Sequence, residues 1–402
     1  MAGYGDLLRT PGVARMIAAQ LTARFPNGMS SLAILLHVEQ QTGSYGAAGL
    51  VLAATSVGQA VAGPLTSRWM GVWGMRRVIT LTLSVCVLAM LGLAVLPLSL
   101  PGYMILGMVA GLSTPPIQAA VRTIYPKLVN SRQLTPLFSL DASLQEIIWI
   151  LAPVVITLVS TQVGTMEGLL LVAVFLVGGG SWFVLSPEVG RVRIPRSRNA
   201  LGKVVLKPPV LLATVIGFLL IGACSAVEVG VVATFEHGSL EAGLVLAVFS
   251  VGSLAGGLAF GHLPIGPWAM ARRLAVVTVG LALTMVMLNV FWLGGTLILA
   301  GIGIAPALAM LFAITSASVK FSETAEAFGW AGTGQLIGAA AGSAVAGFLV
   351  DATDWRGAYL AATLFAGVGL LVAIVFVRAI PDLRGRDASP APDTEPLQVT
   401  PS

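Results

Sequence analysis

Twelve apolar runs, each long enough to cross a bilayer, divide this 402-residue sequence. A membrane-spanning helix needs about 20 mostly apolar residues. Charged residues make up only 10% of the chain, against about a quarter in soluble domains. The sequence therefore predicts an all-α integral membrane protein with twelve spans. The runs lie at about 13–37, 45–66, 78–97, 102–122, 137–160, 168–187, 209–234, 241–263, 274–293, 295–319, 326–350 and 357–380.

The runs form two groups of six, separated by a basic segment that contains proline. We expect an N-terminal six-helix bundle at 1–187, a cytoplasmic basic linker at 188–208 and a second bundle at 209–380. Residues 381–402 are rich in proline and are predicted to be a disordered cytoplasmic tail.

The two groups are related by an internal repeat. Nine of the eleven residues at 48–58 recur 194 positions later, at 242–252. Each copy continues through a glycine-rich stretch to a pair of arginines, Arg76–Arg77 in the first copy and Arg272–Arg273 in the second. The repeat predicts two pseudo-symmetric bundles with parallel topology.

The cations are distributed asymmetrically between alternate loops. With the N-terminus in the cytoplasm, 20 of the 22 Lys and Arg residues lie in cytoplasmic segments, and only Arg24 and Arg356 lie elsewhere. The positive-inside rule therefore predicts that both termini are cytoplasmic. We expect a multi-pass protein of the cell (plasma) membrane.

The loop between spans two and three contains a spaced set of glycines and arginines: Gly63, Leu65, Arg68, Gly74, Arg76 and Arg77. This set resembles the signature loop of the major facilitator superfamily (MFS) of secondary transporters, whose pattern is roughly Gly-x-Leu-x-Asp-Arg-x-Gly-Arg-Arg/Lys. Ser67 replaces the aspartate, and about four residues are inserted before Gly74. The resemblance implies an MFS fold, alternating access and a gating role for this loop. In the family the aspartate holds the two halves together in the outward-facing state, so we expect this contact to be weaker here or to be made by other residues.

Few charged side chains lie inside the spans, and each costs several kcal/mol unless it meets a partner or a cavity. Arg24 and Glu146 fall at similar depth in spans one and five, so they could pair with each other or border a central cavity. Asp141 lies nearer the cytoplasmic end, where it could pair with Arg122, and Glu228 lies in the outer part of span seven. Our candidates for proton coupling are Glu146, Arg24, Asp141 and Glu228.

Other polar or aromatic side chains are candidates for lining a substrate cavity: Asn27, Gln118, Gln145, Trp149, Phe249 and Gln335. Prolines are expected to interrupt several spans, and such breaks tend to line transport pathways. These prolines are Pro26, Pro115, Pro116, Pro153 and Pro306.

The sequence has no phosphate-binding Gly-x-x-x-x-Gly-Lys-Ser/Thr loop and no metal-binding spacing of His, Cys or Asp, so an enzyme, a cofactor or a metal site is not predicted.

The preferred function is efflux of small organic molecules coupled to protons, in a monomer that binds no nucleic acid. The motifs of drug:proton antiporters are degenerate, with Gly107 where that branch has arginine and Ala152–Pro153 in place of Gly-Pro. A proton-independent sugar or metabolite facilitator and a non-transporting sensor or scaffold therefore remain alternatives.

Overall fold

The computed structural model describes residues 4–197, 199–235, 240–287, 289–384 and 388–393, and the predicted spans appear in it as helices in the expected order. We number the spans one to twelve. Their bounds are Val13–Thr42, Tyr45–Trp73, Met75–Val95, Leu100–Leu112 with Ile117–Leu128, Ser131–Gln162, Thr165–Leu185, Pro208–Thr234, Leu240–Phe260, Ala269–Leu283, Val290–Ala317, Thr324–Ala352 and Trp355–Val375. Short helices lie at Tyr4–Arg9, Pro187–Arg191, Phe321–Glu323 and Val377–Ala379.

Within the described residues, ten segments are long and apolar enough to cross a membrane, which confirms the all-α multi-pass fold. The other two expected spans are span one, Val13–Thr42, and span nine, Ala269–Leu283. Span one carries Arg15, Arg24 and Glu39, which lower its hydropathy, and the span-nine helix is only 15 residues long. These two spans are recognised by their place in the order of the helices.

The prolines do not act as the sequence suggested. Pro26, Pro153 and Pro306 lie inside continuous helices, so the predicted interruption of spans one, five and ten is wrong. One missing backbone donor is tolerated in a long membrane helix whose neighbours supply packing. Span four is divided, because the consecutive prolines at 115 and 116 separate its two helical segments.

The loops that join each even-numbered span to the next odd-numbered span meet at one end of the molecule, together with both terminal segments. These loops include the linker and the 10–11 loop. We call this end the basic face, because it carries Arg68, Arg76 and the linker cations. Helices of the two bundles pack against each other as span two on eleven, the second segment of span four on eleven, and span five on eight and ten. The main packing partners of spans one and seven lie within their own bundles.

The tail is ordered in part, so the prediction of disorder is wrong for residues 388–393. Ala391 forms a short parallel bridge with the loop between spans ten and eleven, donating to the Val319 carbonyl and accepting from Phe321 N, at 2.9 and 3.0 Å. The Asp393 carboxylate accepts from Ser322 N at 3.1 Å. A proline-rich segment can still pair through its non-proline residues, and composition alone does not reveal that edge.

Candidate functional site

A network of buried charges lies in the N-terminal bundle, where Asp141 of span five meets two arginines. Arg24 of span one donates from Nη1 to Asp141 Oδ1 at 2.9 Å, and Arg122 of span four donates from Nε to Oδ2 at 3.0 Å. All three side chains are at most 3% exposed. The Arg122–Asp141 pair considered from the sequence is therefore present, and the same carboxylate also takes Arg24.

Neutral groups accept from the other donors of the two arginines, while the Gln20 amide nitrogen has no partner among the described residues. Gln20 Oε1 accepts from Arg24 at 2.7 Å, and Gln145 Oε1 accepts from Arg24 and, at 3.5 Å, from Arg122. Gln118, with its amide oriented to satisfy both partners, accepts from the two terminal nitrogens of Arg122 at 2.7 and 2.8 Å. Tyr125 donates to Asp141 at 3.2 Å. Gln118 and Gln145, expected beside an open cavity, thus belong to this closed network.

The suggested pairing of Arg24 with Glu146 is wrong, because the two side chains meet different partners. Asp141 and Gln145 are one helical turn apart and share the face that meets Arg24. Glu146 is rotated by about 100° from Gln145 and therefore faces a different neighbour. It accepts a hydrogen bond from Ser253 of span eight at 2.8 Å, and this contact joins the two bundles.

Glu228 of span seven is exposed, and its carboxylate lies near enough to Glu146 to interact with it electrostatically. It makes no hydrogen bond to another described residue. Asn27 is also exposed and borders a small pocket within the N-terminal bundle, together with Gln59 and Thr114.

No contact that the structure describes joins the three remaining cavity candidates to Glu146. Trp149 is 50% exposed, Phe249 is 8% exposed within the apolar core, and Gln335 is half-buried against Gly217. Their role in substrate binding stays a prediction.

Aromatic rings of the second bundle cover the buried network on the side facing that bundle. The Arg122 guanidinium carbon lies 3.4 Å from the centroid of the Phe312 ring and 6.0 Å from that of Phe328. Phe138 of the first bundle contacts both rings, with centroid distances of 6.5 and 6.1 Å. A desolvated cation–π contact can contribute about 2 kcal/mol, so Arg122 links the bundles as well as pairing with Asp141.

Spans two and eleven cross closely near the basic face. A Cβ atom built on Gly329 would lie 2.6 Å from the Gly63 carbonyl oxygen, so no side chain fits at this position without displacing a backbone. Thr333 donates to the Ala60 carbonyl at 3.0 Å across the same crossing. The packing of the two bundles here depends on the absence of side chains at both glycines.

Arg68 is the cation of the predicted gating loop that reaches the second bundle. Its Nη1 donates to Glu326 of span eleven at 2.9 Å, and its other terminal nitrogen donates to the Asn199 carbonyl of the linker. The linker is held further by Glu326, which accepts from Gly202 N at 2.8 Å, and by Glu323, which accepts from Lys207 at 2.5 Å. A carboxylate on span eleven thus faces this loop, whereas Ser67 on the loop itself is neutral.

The rest of the predicted gating loop contacts its own bundle. Arg76 donates to the Val184 and Ser186 carbonyls at 3.0 and 3.1 Å, which caps the end of span six. Gly74, with φ of 91°, makes the turn between spans two and three. Arg77 is exposed. These contacts place Arg76 in a structural position, whereas Arg68 bridges the bundles.

Several residues of the buried network and of the bundle interface were not singled out from the sequence: Gln20, Tyr125, Ser253, Phe312, Glu323 and Glu326. A signal existed for Ser253, which is the first polar position after the repeated segment 242–252 and is equivalent to Gln59. A signal also existed for the two glutamates, because Glu323 directly precedes span eleven and Glu326 lies in its first turn, opposite the arginine-rich loop.

Comparison with known proteins agrees with this architecture. The family model of the Major Facilitator Superfamily matches residues 16–288 and 225–400. The human organic anion transporter MFSD10 (TETRAN) has a similar structure, with a TM-score of 0.71, 14% identity, and coverage of 90% of this chain and 100% of that one. A bacterial homologue of the iron transporter ferroportin, solved in an outward-facing state, is also similar, with a TM-score of 0.73 and 15% identity. The match covers 91% of this chain and 99% of that one. No curated protein matches the chain.

The two packed helix bundles, with contacts between them concentrated toward one face, define a secondary membrane transporter and not an enzyme. The chain belongs to the Major Facilitator Superfamily. At 14–15% identity, the structural neighbours establish the fold, and they leave the substrate open.

Proposed function

We propose that this protein exports small organic molecules by alternating access and that Glu146 carries the coupled proton. The observation that supports the proposal is the hydrogen bond from Ser253 to Glu146, which joins the two bundles in the middle of span five. A carboxylate accepts this bond strongly, whereas a protonated acid is neutral and a weaker acceptor. Protonation of one side chain would therefore alter a contact that must break when the bundles move apart.

Two further features support a proton-binding role. Glu146 has no cation as a direct partner among the described residues, because the nearby arginines are bonded to Asp141 and to glutamine oxygens. An unpaired charge within a span costs about 2.5 to 3.5 kcal/mol or more, so proton uptake relieves that cost. Glu228 is a second acid in the same electrostatic neighbourhood and is the next candidate.

The sidedness of the proposal follows from the cations. Placing the basic face in the cytoplasm of a cell with a proton-impermeable plasma membrane satisfies the positive-inside rule. Every hydrogen bond and ring contact between the bundles in the described residues lies between the Glu146 level and the basic face. In our proposal this arrangement is the state closed to the cytoplasm, and the protein works as a monomer.

Transport in proteoliposomes tests the proposal. A panel of organic solutes is screened with and without an imposed proton gradient, and a transported solute is then assayed with Glu146→Gln and Glu241→Gln. Glu241 is an exposed acid in the first turn of span eight and serves as the matched control. We expect Glu146→Gln to lose gradient-driven accumulation while retaining exchange between equal compartments, and Glu241→Gln to behave as the wild type.

If the protein is instead a proton-independent facilitator, solute transport should not depend on the proton gradient. If accumulation is independent of the proton gradient, or if Glu146→Gln still concentrates solute at the wild-type rate, the coupling proposal is wrong. Loss of both accumulation and exchange would assign Glu146 to substrate binding or to folding. Thermal unfolding of the purified variant separates those two cases.

A further inference from the structure

A small pocket opens on the basic face where three parts of the chain meet. Its walls include Ser67 and Arg68 near the end of span two, Arg196 and Ser197 of the linker, Ser322 just before span eleven and Glu326 in the first turn of that span. Residues of both bundles and of the linker are therefore needed to form it. The pocket is separate from the region around Glu146, which lies deeper in the bundle interface.

The pocket carries more positive than negative charge. The residues that line it include two arginines, Arg68 and Arg196, and a single acid, Glu326. Both oxygens of that carboxylate are already taken, by Arg68 Nη1 and by Gly202 N. Arg196 is exposed and makes no hydrogen bond or ion pair with any described residue. Its donors are free for a ligand.

Ser67 supplies a second, independent feature. Its side chain is 1% exposed, and its hydroxyl has no hydrogen-bond partner among the described residues, although the residue lines the pocket. Buried hydroxyls are normally satisfied, so the Ser67 hydroxyl is an unused donor in a residue that lines the pocket. A serine here also avoids the repulsion that a carboxylate would exert on an anion.

We infer that this pocket binds a small oxyanion, namely a phosphate group, either free or in the headgroup of an anionic lipid. Arginine binds phosphate oxygens through paired N–H groups, and the serine hydroxyl adds one further donor. Because the walls come from both bundles, the site is complete only when the basic face is closed. Binding therefore favours the closed state by the difference in affinity between the two states.

Thermal unfolding of the full-length protein in neutral detergent tests whether free phosphate binds to the pocket. Inorganic phosphate is titrated at constant ionic strength, with sodium chloride as the balancing salt, so that general salt effects cancel. We expect a saturable rise in melting temperature, as ligand binding to the folded state requires. Arg196→Gln should weaken the apparent affinity at least tenfold, and Ser67→Ala severalfold.

The matched control is Arg193→Gln, which removes another exposed linker cation that does not line the pocket. It should leave the phosphate affinity unchanged. Equal losses in Arg193→Gln and Arg196→Gln would show general attraction to a basic linker and would overturn the proposed site.

Vesicles distinguish the two sources of phosphate. Without added phosphate, the wild type and Arg196→Gln are compared in phosphatidylcholine alone and in phosphatidylcholine with phosphatidylglycerol. Stabilisation by phosphatidylglycerol that requires Arg196 assigns the site to a lipid headgroup, and stabilisation by inorganic phosphate alone assigns it to the free ion. Absence of saturable stabilisation by both probes overturns the inference.

The dependence on the closed state has its own test at the crossing of spans two and eleven. Gly63→Ala, whose Cβ would lie 2.8 Å from Thr333 Oγ1 and 3.2 Å from the Gly329 carbonyl oxygen, perturbs this crossing without touching the pocket and should weaken phosphate binding, whereas Gly332→Ala, which meets open space, should not. Undiminished affinity in Gly63→Ala would show that the site does not require closure. Thermal unfolding reports binding without transport, so these results are independent of the proposed coupling.

Discussion

Asp141 is the residue on which the buried network of the first bundle depends. Its two oxygens accept from Arg24, Arg122 and Tyr125, and all of these side chains are buried. A buried ion pair contributes little net stability, but removing one partner leaves a charge without compensation. Here the loss of the Asp141 carboxylate would leave the guanidinium groups of Arg24 and Arg122 buried without a counter-charge.

We therefore expect Asp141→Asn to reduce the free energy of unfolding by about 3 to 5 kcal/mol, the range measured when a buried pair is broken. Denaturant unfolding of the purified protein measures the change. Asp351→Asn, at an exposed position near the end of span eleven, is the control and should change stability by less than about 0.5 kcal/mol. A loss below about 1 kcal/mol for Asp141→Asn would show that the glutamine oxygens alone can hold both arginines.

At the scale of elements, spans two and eleven of the two bundles cross closely. A methyl group on Gly329 would meet the Gly63 carbonyl at a distance that real Cβ atoms do not adopt. The same helix carries Gly332, whose Cβ would meet nothing within 4 Å. Two identical substitutions three residues apart therefore differ only in whether they block the crossing.

Gly329→Ala should prevent the tight closure of the basic face and reduce transport at least tenfold, whereas Gly332→Ala should retain most of it. Initial transport rates in proteoliposomes, normalised to inserted protein, measure the difference. Similar rates for the two variants would mean that spans two and eleven do not approach this closely during the cycle.

The ordered part of the tail is the other element-scale feature, because it binds the loop that precedes Glu323 and Glu326. Ala391→Pro removes the donor to Val319, whereas Ala391→Ser keeps it. We expect the amides of Phe321 and Ser322 to exchange about fivefold faster with deuterium in the proline variant, since a backbone hydrogen bond contributes about 1 kcal/mol. Unchanged exchange would show that the loop is held without the tail.

At the scale of the whole molecule, hydropathy and the repeat predicted the helices well, because a bilayer admits few alternatives to a helix of about 20 residues. The partners inside the bundle were less predictable. Choosing between Asp141 and Glu146 as the partner of Arg24 requires the rotation of span five relative to span one. A one-residue difference turns a side chain by about 100°, which the sequence of a single span does not determine.

The orientation of the whole molecule in the membrane gives the last prediction. The loops after spans one and five lie opposite the basic face, whereas the linker and the segment after span twelve lie on it. A reporter that is active only outside the cytoplasm should therefore give signal when fused after Gly43 or Gly164, and none after Arg196 or Arg384.

A second reporter that is active only in the cytoplasm should give the reciprocal pattern at the same four sites, which controls for expression and insertion. Signal from the external reporter after Arg196 would place the arginine-rich face outside. That result would reverse the direction assigned to the proposed export, and it would place the phosphate pocket away from the cytoplasm. The contacts of Glu146 and Arg68 would be unaffected, because they are set by the fold and not by its orientation in the bilayer.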